Sequence, residues 1–90
     1  MFGLEVHMSK HILATGDTTL VIGGGGFIGR HVVAALQEAG GTVRVMDFTG
    51  QPNEMKGVDW VSGSIADSTL VASTADGCNA VIFLANASLP

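Results

Sequence analysis

Hydrophobic and polar positions change their period twice before residue 48. Thr19-Leu-Val-Ile-Gly23 is a short apolar run with branched side chains that stops at glycines, the pattern of a strand buried on both faces. From Phe27 to Ala39 the period lengthens: Ile28, Val32, Ala35 and Leu36 fall on one helical face, and Arg30, Gln37 and Glu38 point elsewhere. Gly40-Gly41 ends that helix. Thr42 to Asp47 alternates and is rich in valine, which predicts a second strand.

The second half of the chain carries weaker signals of the same kind. Residues 48–57 gather Gly50, Pro52, Asn53 and Gly57 and read as a surface connection too broken for a long helix. Val58 to Ser62 predicts a short third strand, Asp67 can cap a helix over residues 68–76, and Asn79 to Ala85 predicts a fourth strand. The fold class is therefore α/β, a Rossmann-type half. Right-handed crossovers place its four parallel strands in the order 3-2-1-4, with flanking helices. That order sets the most hydrophobic strand at an open edge, which invites pairing. Further sequence beyond Pro90, or a partner chain in a homo-oligomer or complex, is expected to cover it.

Length and composition narrow the possibilities. Ninety residues suffice for one domain. Residues 1–17 read as a leader or expression-derived segment, and residues 18–90 as the N-terminal part of the Rossmann-type domain. Glu5, His7, Lys10 and His11 interrupt any apolar stretch of a signal peptide, and His7-Met8 resembles a cloning junction. A 47% hydrophobic chain with 13% charged residues is core-rich and globular. Four Lys and Arg residues against a net charge of −4 leave no basic patch for nucleic acid. Apolar runs such as Ala80 to Ala85 fall far short of the roughly 20 residues that cross a bilayer. Cys78 has no internal disulfide partner, and His7, His11 and His31 have no companion cysteine at metal-ligand spacing. A reduced, cytoplasmic protein without a structural metal is expected.

Chemistry concentrates between the first strand and the first helix. Val21-Ile-Gly-Gly-Gly-Gly-Phe-Ile-Gly-Arg30 contains G-x-x-G-x-x-G at Gly23, Gly26 and Gly29. Gly23 permits the sharp turn off the strand, Gly26 lets backbone approach a pyrophosphate, and Gly29 lets the helix pack closely on the sheet. The helix start then offers free N–H groups and a positive dipole end to phosphates. Asp47 ends the second strand about 20 residues further on, where a carboxylate accepts hydrogen bonds from the adenosine ribose hydroxyls and repels a 2′-phosphate. Phe48 and Thr49 follow it where an arginine would favour that phosphate, so the pattern favours NAD over NADP. Arg44 lies on the opposite side of the strand by period and reads as solvated or helix-facing.

Gly-Gly-Gly-Gly-Phe-Ile-Gly (23–29) resembles the opening of extended short-chain dehydrogenase/reductases, the NAD-dependent epimerase/dehydratase group that acts on nucleotide sugars. The resemblance covers residues 19–87. It implies cofactor contacts from Phe27 and Ile28 beside the three glycines. Gly63-Ser-Ile-Ala-Asp67 is similar to that family's Gly-Asp-x-x-Asp, whose first Asp contacts the adenine amino group, so contacts are implied at Ser64 and Ile65. Serine can accept that hydrogen bond but without a full charge. Asp67 matches the second Asp but reads foremost as a helix cap. Phe83-Leu-Ala-Asn86 is similar to the family's His-Leu-Ala-Ala, which implies contacts at Leu84, Ala85 and Asn86.

The family's hydride transfer uses a Tyr-x-x-x-Lys pair, and this sequence has no tyrosine. Ser62, Ser64 and Ser68 have no His or Lys nearby in sequence, so no catalytic residue is assigned. Three readings stand: the N-terminal portion of an epimerase, dehydratase or reductase; a stand-alone, non-catalytic dinucleotide-binding or interaction module; and a folded remnant in which the glycines only make a turn.

Overall fold

The structure, a computed structural model, describes residues 16–84. The expected leader, apart from Gly16 and Asp17, lies outside that range, as do Ala85 and Asn86. Six elements follow in order: β1 (Thr18–Ile22), α1 (Phe27–Glu38), β2 (Thr42–Asp47), β3 (Asp59–Ser62), α2 (Ser68–Ala75) and β4 (Ala80–Phe83). The strands form one parallel sheet in the order β3-β2-β1-β4, as the sequence predicts. Ile22 pairs with both Met46 and Phe83, and Asp47 with Ser62, so the carboxyl ends of the strands open along one rim.

Alternation along the strands sorts the core onto two faces. Val21, Val43, Val45 and Ile82 pack with Val33 and Leu36 of α1, whereas Leu20, Ile22 and Met46 pack with Leu70 and Val71 of α2. The helices therefore cover opposite faces, and β1, fully wrapped, contributes Leu20 and Val21 with no exposure. Burial of each such side chain stabilises the fold by about 1.5–3 kcal/mol. At the edge, β4 buries Ile82 but leaves Val81 37% exposed.

Helix α1 turns partly away from the face its apolar spacing predicts, keeping Leu36 buried and Val32 packed against the core. Gly29, Val33 and Leu36 are buried, whereas Ala35 is exposed and Ile28 is 41% exposed. A Cβ on Gly29 would lie 2.6 Å from the Gly23 carbonyl oxygen and from Gly24 backbone atoms, so the helix rests on its glycine. That contact rolls the apolar seam onto positions 29, 33 and 36, spaced i, i+4, i+7. At the far end, Gly40 (φ +88°) donates to Gln37 O at 3.0 Å and Gly41 to Leu36 O at 3.0 Å, closing the helix as the glycine pair predicts.

The connection over residues 48–57 also does more than cross the surface. Met55 is 8% exposed and joins the α1-side core. Arg30 reaches Glu54 at 2.6 Å and Gln37 Nε2 donates to Lys56 O at 2.9 Å, which tie the segment to α1.

Arg44 faces α2, as its parity predicts. Its Nη1 donates to Thr74 O at 2.7 Å and Asp76 O at 3.1 Å, and its Nε to Asp59 Oδ2 at 2.9 Å. One guanidinium thus satisfies carbonyls at the end of α2 and ties them to β2 and β3, favourable charge at a helix C-terminus. Arg44→Met, which keeps the stem and removes the donors, is expected to lower unfolding free energy by about 1–3 kcal/mol in urea titration. Asp59→Asn, on the exposed side of the same pair, should cost under about 1 kcal/mol.

Candidate functional site at the carboxyl rim of the sheet

The chain leaves β1 through Gly23, whose φ of +89° suits glycine alone among common residues, and its N–H donates to Met46 O at 2.8 Å. One tight turn later, closed by Gly26 N donating to Gly23 O at 3.4 Å, it enters α1 at Gly26, an extended N-cap without a side-chain hydrogen bond. Among the described residues the N–H groups of Phe27, Ile28 and Gly29 meet no acceptor. They stand at the positive end of a 12-residue helix, where an anion can accept from them.

Beside this turn lies a cleft of about 370 Å³ lined by Gly23, Gly26, Met46, Asp47, Phe48, Gly63, Ser64, Ile65 and Leu84. That volume is within the range of small-molecule sites, roughly 300–1,000 Å³. The cleft brings together residues from the ends of all four strands or the loops after them. Six residues expected from sequence line it: Gly23, Gly26, Asp47, Ser64, Ile65 and Leu84. Gly29 is buried behind the turn, and Phe27 (79% exposed) and Ile28 (41% exposed) do not line the cleft.

Among the described residues Asp47 is the only ionisable side chain on the cleft wall, and its carboxylate is held from both sides. Oδ2 accepts from Gly25 N at 3.0 Å, and Oδ1 accepts from Thr49 N at 3.1 Å and Thr49 Oγ1 at 3.0 Å. Trp60 Nε1 in turn donates to Thr49 O at 3.0 Å, fixing the turn after β2. The carboxylate is therefore oriented before any ligand arrives, with lone pairs left to accept from hydroxyls. Across the cleft, Ser64 Oγ accepts from Ala66 N at 3.0 Å and Ser64 O from Asp67 N at 3.0 Å. Asp67 takes the helix-cap role, its Oδ1 accepting from Leu70 N at 3.1 Å.

Met46, Phe48 and Gly63 line the cleft without having been expected there, and Gly25 supports Asp47 from a position the motif leaves unspecified. Adjacency was the available signal: Met46 and Phe48 flank the strand-terminal acid, and Gly63 precedes Ser64. Gly24 is constrained by space, since a Cβ there would lie 2.7 Å from Val45 Cγ1.

Residues 19–90 match the model of the NAD dependent epimerase/dehydratase family. The chain belongs to this family. Among solved structures of similar proteins is an epimerase, Mth375, from the methanogen Methanothermobacter thermautotrophicus, with 26% identity and a TM-score of 0.68 over 79% of this chain and 23% of that one. The Bordetella bronchiseptica enzyme WbmF is similar at 30% identity, in complex with NAD+ (TM-score 0.65) and with NAD+ and UDP (TM-score 0.64), each over 78% of this chain and 23% of that one. The chain thus spans under a quarter of the length of these proteins. No curated protein gives a match. No helix among the described residues is long and apolar enough to cross a membrane.

The two glycines of the family turn that close on it differ in what surrounds them. A Cβ on Gly26 would meet nothing nearer than Gly23 O at 3.8 Å, and its φ of −77° suits any residue. Gly26→Ala is therefore expected to hold unfolding free energy within about 0.5 kcal/mol of the original. Gly29→Ala, pressed against backbone, should lose about 1–3 kcal/mol. Paired urea titrations followed by Trp60 fluorescence check both.

Proposed function

We propose that the chain is the cofactor-binding part of an NAD-dependent nucleotide-sugar epimerase or dehydratase, and that it holds the ADP part of NAD. The observation that carries this reading is the Asp47 carboxylate hydrogen-bonded to Gly25 N at 3.0 Å, which puts an oriented acceptor beside the phosphate-sized turn. In this reading the pyrophosphate lies over Gly26 and accepts from the N–H groups at Phe27 and Ile28. The adenosine ribose hydroxyls donate to Asp47, and the base lies beyond it among Phe48, Ser64 and Ile65. Leu84, Ala85 and Asn86 border the path toward the nicotinamide. The residues suit these parts: the turn is open where a Cβ would intrude, and the cleft is otherwise apolar. Bound NAD supplies hydride acceptance and return.

NAD is favoured over NADP because Asp47 meets the position of a 2′-phosphate with like charge, and Phe48 and Thr49 supply no cation. The 90 residues contain no tyrosine, so in this reading they contribute binding and orientation, and proton transfer of the Tyr-x-x-x-Lys kind falls to residues outside them. WbmF, with NAD+ and UDP in its solved complex, supports both the cofactor and the nucleotide-sugar class. The half-open β4 edge, with Val81 exposed, supports a cover by further polypeptide, either more of the same chain or a second copy. A free thiol at Cys78 accords with a reducing, cytoplasmic setting.

Calorimetric titration with NAD, ADP-ribose and NADP tests the reading. NAD and ADP-ribose should bind with similar affinity, NADP about tenfold or more weakly, and both Gly26→Val and Asp47→Ala should lose binding while remaining folded. A folded wild-type chain that binds none of the three would overturn it.

A further inference from the structure

The indole of Trp60, the single tryptophan of the chain, reaches both loops that hold the Asp47 carboxylate. Trp60 pairs in register with Val45 and packs, half-buried, against the α1-side core, so its ring is anchored on the sheet face that Asp47 shares with Val45. At one end Nε1 donates to Thr49 O at 3.0 Å and to Ser62 Oγ at 3.2 Å, and Ser62 Oγ donates to the same carbonyl at 3.3 Å. Thr49 in turn donates to Asp47 Oδ1 through its N at 3.1 Å and its Oγ1 at 3.0 Å. At the other end the ring meets the glycine turn. A Cβ on Gly25 would lie 3.0 Å from Trp60 Cη2 and 3.0 Å from Asp47 Oδ2, the oxygen that accepts from Gly25 N.

We infer that Trp60 is a positioning residue for Asp47: by bracing both loops it fixes the carboxylate as a sugar acceptor, and so sets how strongly the site tells a ribose from a 2′-deoxyribose. A free aspartate side chain samples several orientations, and ordering it on binding weakens the bond it makes. A hydroxyl donates strongly to a carboxylate, but only while an oxygen faces it. Without the indole N–H, the Thr49 carbonyl keeps only the longer bond from Ser62 Oγ, and the turn after β2 loosens. Oδ1 then loses its fixed donors, and the carboxylate spends part of its time turned away from the sugar. The backbone N–H groups at the start of α1 stay in place, so the loss falls on the ribose and spares the phosphates.

This inference rests on the cofactor reading above, and its test separates the two. ADP and 2′-deoxy-ADP are titrated by calorimetry into the original chain, into Trp60→Phe, and into the chain made with β-(3-benzothienyl)alanine in place of its tryptophan. The benzothienyl side chain keeps the shape of the indole and removes only the N–H, so it preserves the packing that Trp60→Phe gives up. The original chain should prefer ADP by about tenfold or more, the worth of one hydroxyl bond to a charged acceptor. Both replacements should reduce that preference to about threefold or less, while affinity for 2′-deoxy-ADP changes by less than about twofold. In an Asp47→Ala background the same replacements should leave the ratio unchanged. A merely structural role would weaken both ligands together and keep their ratio. A tenfold preference that survives the benzothienyl replacement overturns the inference and leaves the cofactor reading standing. Failure of the folded original chain to bind ADP removes the cofactor reading and this inference with it.

Discussion

The first turn of α1 lies directly on the backbone that leaves β1. A Cβ on Gly29 would sit 2.6 Å from Gly23 O and Gly24 backbone atoms, so that contact exists only because the residue has no side chain. It places the helix start over the carboxyl rim of the sheet, where the N–H groups of Phe27, Ile28 and Gly29 meet no acceptor among the described residues. The same contact rolls α1 so that Val33 and Leu36 meet Val21, Val43 and Val45. Site and core on this face of the sheet therefore share one constraint.

The other face is organised by charge rather than by close backbone approach. Arg44, anchored in the second strand, gathers the last carbonyls of α2 and Asp59 of β3. Its hold on the end of α2, together with the Asp67 cap at the start, keeps that helix along the sheet. The Gly63–Asp67 turn is thereby delivered to the cleft opposite Asp47. Asn79 does similar work at the edge: its N–H donates to Thr18 O at 2.7 Å, and its Oδ1 accepts from Thr18 N at 2.8 Å, setting the register of β4.

Strand order, the span of β2 and the meeting of Gly23, Gly26 and Asp47 were legible in the sequence, because each depends on local signals: period, glycine punctuation and an acid at a strand end. The buried face of α1 was legible only in part, at Leu36 and Val32. Apolar counting gives glycine no weight, whereas in the fold Gly29 is the residue that decides the seam. Met55 was hidden for a similar reason, since an irregular segment has no period to reveal its one buried side chain. The support of Asp47 by Gly25 and Thr49 depends on how two loops fold toward each other, which no spacing rule encodes. Ala85 and Asn86 lie outside the described residues.

The central claim is that the glycine turn and the two loops facing it act as one site for the ADP part of a dinucleotide. Amide chemical-shift mapping of the isotope-labelled chain during titration with ADP-ribose tests it most directly. The account predicts that Gly23 to Gly29, Asp47 to Thr49 and Gly63 to Ile65 shift together along one binding curve. Shifts confined to another surface, such as the groove between Arg30, Gln37 and Lys56, would contradict it.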